Sequence, residues 1–244
     1  MKMRTLLGTS ILLSLLATKA LASETIDIPE EELARESVLP HFDRPDNIKN
    51  RNVVSAKKVE VGIYYGGNFT EPIYNQSKIG LNGGYHFSED SALMFNFAQW
   101  MSGRNSQYVP SIEKQGGTDP YDFNRVPDLK MSLWANYEVT AYYGKISLTK
   151  QGVMNLTMYP IFGLGVTQYT NKTYPGLNVG IGQRYYFTHA LALRIDLKLQ
   201  YSGAPNPFLG NNELKSSQPV PPASDFSDKY QLGTILDLGL SYLL

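Results

Sequence analysis

Between Leu191 and Tyr201, charged and aliphatic residues alternate: Arg194, Asp196 and Lys198 sit among Leu193, Ile195, Leu197 and Leu199. Glu60, Lys130, Glu138, Arg184 and Asp237 hold the same kind of position in other apolar stretches. Charges so placed can line a path for ions, or neutralise one another as a packed salt-bridge network. Lys130, Arg184, Arg194 and Lys198 balance Glu60, Glu138, Asp196 and Asp237. A closed polar interior needs that balance, because an isolated buried charge is expensive. Other candidates for chemistry are few. Asp119, Asp122 and Asp128 could invite calcium, but their spacing matches no EF-hand loop and reads as solvated. The chain has no cysteine, which excludes disulfides, thiolate metal sites and cysteine nucleophiles. No catalytic group, metal site or cofactor is expected.

The period of two that carries these charges is that of a β-strand, which sends successive side chains to opposite faces. It recurs over residues 59–66, 78–87, 91–100, 129–138, 153–166, 177–187, 191–201 and 232–244. Eight strands follow, most of them near the roughly 9–11 residues that a tilted membrane strand needs. Residues 88–91 and 188–190 make tight turns, whereas 103–126 and 202–229 are long and polar. Short turns on one side and long loops on the other suit an outer-membrane barrel. The connection at 140–152 is longer than a tight hairpin and fits worst, and Pro160 points to a bulge or bend.

The ends of the chain bound the class. Lys2 and Arg4, an apolar run from Leu6 to Leu16 and the small residues Ala20–Ala22 read as a secretion signal over residues 1–22. Residues 23–55 form a periplasmic segment, a disordered leader or a short helix over Ile28–Pro40, and 56–244 form the barrel. No later stretch has the roughly 20 apolar residues of a membrane helix. Lys and Arg number 22 against 22 Asp and Glu, so nothing in the charge suggests nucleic acid.

An eight-stranded barrel could instead be a soluble carrier with its apolar face inward. Glycine decides against that. Gly62, Gly66, Gly80, Gly84, Gly163, Gly165, Gly180, Gly182 and Gly239 share the face that carries the charges and Tyr64, Trp100, Trp134, Tyr159 and Tyr186. An interior barely wide enough for its own side chains needs such a mixture of small and large. The leucine face is then the outside. Its aromatics gather near strand ends, Tyr65 and Tyr201 at one rim and Tyr85, Phe87, Tyr185, Phe187 and Tyr242 at the other.

The stretches YYGKISL, MYPIFGLGVTQ and LNVGIGQRYYFTHALALRIDLK resemble the small outer-membrane β-barrel domain family known from myxobacteria and related bacteria. The likeness runs from about residue 50 to the end and implies the eight-stranded architecture of OmpA- and OmpX-like barrels, but no activity. Such barrels usually end in an aromatic residue. This chain ends in Leu244, with Leu240 and Tyr242 keeping the rest of the terminal signal read by the barrel assembly machinery.

The expectation is therefore an all-β, eight-stranded, antiparallel up-and-down transmembrane barrel. It is monomeric, with its termini in the periplasm and lipid and lipopolysaccharide around it. Its role is structural or lies in surface loops, where Phe208 and Leu209 offer contacts in an exposed, mobile segment. An extracellular or periplasmic protein partner is open. A narrow pore is one alternative. A lipid-modifying enzyme using a pair such as Ser132 and His86 is another, though His86 and His189 fall at the short-turn end, away from the outer leaflet.

Overall fold

The computed structural model describes residues 51–115, 120–147, 153–206, 214–215, 217, 219, 222 and 226–244. Nine strands follow in order: β1 (Val59–Asn68), β2 (Tyr74–His86), β3 (Ser91–Arg104), β4 (Leu129–Val139), β5 (Tyr142–Ser147), β6 (Val153–Tyr169), β7 (Thr173–Tyr186), β8 (Leu191–Pro205) and β9 (Asp228–Leu243). Apart from β4 and β5, sequential neighbours pair antiparallel, and β1 pairs with β9 to join the first strand to the last. β4 and β5 lie along the same edge of β6, β4 against residues 161–169 and β5 against 153–158. They form one interrupted leg, so the sheet is a closed antiparallel barrel of eight legs. Closure leaves no free edge around the ring.

The connection after β4 thus differs from a long turn. The chain breaks step at Thr140, returns to the ladder where the Ala141 N–H donates to Met158 O at 2.9 Å, and continues as β5. The break lies opposite Tyr159 and Pro160. Proline has no N–H to give the ladder, which is a physical reason for the interruption. β6 itself runs through Pro160 and stays in register with β7.

A second irregularity corrects the reading of Lys130. The β4–β6 register slips by one residue between Leu129 and Met131. This bulge turns Leu129 inward and leaves Lys130 outside, its side chain 54% exposed and 3.3 Å from Asp128. A one-residue bulge swaps faces, so the period read downstream of it cannot be extended upstream.

β2, β3, β7, β8 and β9 all run past the apolar alternation at the long-loop end. There the loops fold into a cap. A short helix, α1 (Val109–Lys114), has Pro110 in its first turn, and residues 123–125 make a 3-10 turn capped by Asp122. Ile73, Val109, Phe123, Val126, Leu214 and Phe226 form a buried cluster. The last loop was expected to be wholly exposed. Instead Leu214 and Phe226 bury here, because the 105–128 loop supplies apolar partners and Leu214 O accepts from Asp122 N at 2.7 Å. The rest of the 206–227 loop, including Phe208 and Leu209, lies mostly outside the described residues. So do residues 1–22, expected to be a secretion signal, and residues 28–40, expected to be a disordered leader or a short helix.

Phe123→Ala opens a cavity in this cap, with a cost of about 3–5 kcal/mol. Limited proteolysis of the refolded protein should then cut the loops faster than in the wild type. The barrel strands should stay protected, because none of them depends on the cap for pairing.

Candidate functional site

The chemistry-bearing side chains meet inside the barrel. Among the described residues, the buried charged groups are Glu60, Lys78, His86, Glu138, Arg184, Arg194, Asp196, Lys198 and Asp237. Four carboxylates thus face two arginines and two lysines. All come from the inward positions of β1, β2, β4, β7, β8 and β9.

Towards the short-turn end, Arg184 and Arg194 bridge the same two carboxylates. Arg184 Nε lies 3.1 Å from Glu60, and Arg194 Nη1 lies 3.2 Å from it. A second nitrogen of each guanidinium donates to Glu138. His86 Nε2 adds a contact of 2.8 Å to Glu60. Arg194 Nε also donates to Asp196 at 3.0 Å. Tyr159 crosses the lumen from β6, and its hydroxyl donates to Asp196 at 2.6 Å. The two guanidiniums lie 4.0 and 5.3 Å from the centre of its ring, so the ring's negative face serves both cations. Gly182 makes this possible: a Cβ there would collide with the Tyr159 ring and Asp196.

A second cluster sits higher. Asp237 takes Lys78 Nζ at 2.9 Å and Lys198 Nζ at 2.6 Å. Lys78 also lies 5.3 Å from the Tyr64 ring and 5.1 Å from the Trp100 ring. Between the clusters runs a row of amides. Asn178 donates to Asn136 at 2.9 Å, and Asn136 donates to Asn96 at 3.3 Å. Asn136 and Asn178 reach each other across β6 because residue 163 is glycine; a Cβ at that position would strike both side chains.

Apolar clusters lie at each end of the polar interior. Trp100, Leu129, Tyr169, Tyr174, Ala204 and Ile235 fill the long-loop end. Val53, Tyr143, Tyr186, Ala192 and Leu243 fill the other. Val53 belongs to a strap that precedes β1. Glu89, in the β2–β3 turn, accepts from the N–H groups of Ser55 and Ala56 at 3.2 and 2.9 Å and from Arg51 at 2.9 Å. Burial pushes the Glu89 carboxyl up, but the Ala56 and Ser55 N–H groups, then Arg51 and the Ser55 hydroxyl, outweigh it and hold it below the ordinary carboxylate range. His189 Nδ1 holds the strap at Asn52 O, 2.7 Å away.

Glu60, Glu138, Arg184, Arg194, Asp196, Lys198 and Asp237 come together, and Lys130 does not. Lys78 and His86 join them. Lys78 was legible, since it lies two residues before Gly80 on the same face; the strap was not. Ser132 accepts from Trp100 Nε1 at 2.9 Å, while His86 contacts Glu60, and no bond joins Ser132 to His86 among the described residues. Asp122 caps the 3-10 turn, and Asp128 pairs with Lys130; Asp119 lies outside the described residues. Among the described residues no three His, Cys, Asp or Glu side chains are placed to hold a metal. Leu240, Tyr242 and Leu244 share the exterior face at the end of the chain, where Leu244 N donates to Val59 O at 2.8 Å.

No protein-family model matches the chain, and no curated protein matches it. Solved barrels do. The N-terminal β-barrel domain of Pseudomonas aeruginosa OprF is 13% identical, with a TM-score of 0.44 over 78% of this chain and 98% of that one. The outer membrane protein OprG of Pseudomonas aeruginosa is 10% identical, with a TM-score of 0.44 over 80% and 99%. A de novo designed transmembrane β-barrel is 14% identical, with a TM-score of 0.37 over 78% and 97%. These are distant likenesses of form, and the fold described above stands on its own strand pairing.

Glu138→Gln weakens the hold on two buried guanidiniums at once and should cost about 3–5 kcal/mol. Lys130→Gln, on the exterior, should change stability by no more than about 0.5 kcal/mol. Denaturation midpoints in detergent check both. Glu89 has a depressed folded pKa, so its stabilisation of the strap is full above the unfolded value and is lost as pH falls through the folded one. Glu89→Gln should lower the exchange protection of the Ser55 and Ala56 amides at neutral pH, and acid should lower it in the wild type once the rate is referred to the intrinsic rate at each pH.

Proposed function

We propose that this chain is an integral barrel of the bacterial outer membrane, with a sealed lumen and a folded loop cap as its interaction surface. The observation that carries the reading is the inversion of polarity. Ile63, Leu81, Phe95, Leu133, Leu164, Ile181, Leu199 and Leu238 all lie exposed on the outside, while the charges are buried within. Such an exterior suits hydrocarbon, and a closed sheet satisfies every ladder group there without water. Residues 191–201, at ordinary strand rise and tilt, span roughly 25 Å, the height of the apolar band in such barrels. Aromatics rim this band. Tyr85, Phe87, Tyr137, Phe187 and Tyr242 are exposed near one end; Tyr65, Tyr201 and Tyr230 are exposed near the other.

The asymmetry of turns and loops supports a periplasmic placement of the short turns and both termini. The exposed Leu240, Tyr242 and Leu244 at the barrel seam suit recognition by the assembly machinery during insertion. The likeness to the myxobacterial barrel family agrees with this placement and adds no activity. A ring without free edges favours a monomer surrounded by lipid and lipopolysaccharide.

The two apolar layers weigh against the pore. An ion would have to pass both of them and a set of charges that already neutralise one another. The separate partners of Ser132 and His86 likewise weigh against lipid-modifying chemistry at that pair. Reconstituted in planar bilayers, the wild type should produce no stepwise conductance. Regular single-channel steps would favour the pore instead.

A further inference from the structure

We infer that the long-loop mouth holds a binding site for a small aliphatic amine, its ammonium group seated against Glu71. The site is a cavity of about 270 Å³ between the upper apolar layer and the loop cap. Glu71, in the β1–β2 connection, lines it together with Gln76, Tyr169 and Gln231. Among the described residues, Glu71 is the one carboxylate side chain without an ion-pair partner. Every other one has a cation within reach, inside the lumen and on the surface alike. Glu71 accepts only from neutral donors, Ile73 N–H and Gln231 Nε2, both at 3.3 Å.

A half-buried carboxylate so weakly held is under-satisfied. Burial pushes its carboxyl above the ordinary range, and the Ile73 N–H, Gln231 and the nearby Lys229 offset only part of that. A second observation is independent of the charge. Tyr169 is 9% exposed and lines the same cavity, yet its hydroxyl makes no hydrogen bond among the described residues. An ammonium donor would satisfy both oxygens. Leu129, Val126, Ile73 and Ala204 supply an apolar wall for a short alkyl chain. A metal ion fits worse, since no three acidic or histidine side chains converge here among the described residues. Lys229 lies on the rim and opposes any cation.

The site depends on the barrel mouth and not on what surrounds the exterior, so it can fail or hold separately from the membrane reading. The test titrates n-butylammonium, n-butanol and butyrate into the refolded, ¹⁵N-labelled full chain in an uncharged detergent. Butylammonium should give saturable shifts at the Ile73 and Gln231 amides, and the alcohol and the carboxylate should not. Glu71→Gln should weaken binding by about tenfold, as expected for loss of a charged hydrogen-bond partner. Lys229→Gln should tighten it, a change that misfolding cannot imitate. Equal shifts from butanol, unchanged affinity in Glu71→Gln, or unchanged affinity in Lys229→Gln would each overturn the proposal.

Discussion

Arg184 and Arg194 each hold both Glu60 and Glu138, and these four side chains come from four strands dispersed along the chain. None of the four can be left alone. A buried charge that loses its partner costs several kcal/mol, whereas the same charge turned outward would meet the apolar exterior. The only arrangement that spares them is the one in which β1, β4, β7 and β8 have closed into a ring at a single register. A slip of one residue in any of these strands would send its charge to the wrong face. The ion network contributes less as a source of net stability than as a constraint on which barrel can form.

The remainder of the interior follows from that cluster. Tyr159 lies beneath both guanidiniums and bonds Asp196, which ties β6 to β8 across the lumen. Its ring needs the space over Gly182, and Tyr64 needs the space over Gly80. Lys78, Asp237 and Lys198 repeat the same logic one layer higher with single cations in place of forked ones. Apolar clusters lie above and below both ion-pair clusters, and a low-dielectric setting of that kind strengthens every pair between them. The strap and the loop cap then cover layers that would otherwise stand open at the two ends.

Much of this was legible because a closed two-faced sheet writes its period directly into the sequence. Glu60, Glu138, Arg184, Arg194, Asp196, Lys198 and Asp237 could each be placed inside by counting in twos from a leucine. The count fails where the ladder does. A bulge at Leu129–Met131 puts Lys130 outside, and the break opposite Pro160 hides β5 within an apparent loop. Both are local departures from pairing, and period alone carries no trace of them. The cap and the strap were illegible for another reason. Leu214 and Phe226 are single apolar residues in polar surroundings, Val53 is one of a pair, and their burial depends on partners distant in sequence. Glu71 belongs to the same kind: its lack of a cation is a property of the folded mouth and of nothing nearby in the chain.

If the leucine face meets hydrocarbon and the charged face does not, the two sets of positions respond differently to the lipid. Because the chain has no cysteine, single cysteines can be introduced one at a time over residues 191–201 and labelled with an environment-sensitive fluorophore. The labelled proteins are then reconstituted in bilayers whose acyl chains carry bromine. Labels at 193, 195, 197 and 199 should be quenched strongly and those at 194, 196 and 198 weakly, in strict alternation. Quenching of the opposite set, or none that alternates, would show that the leucine face does not meet hydrocarbon.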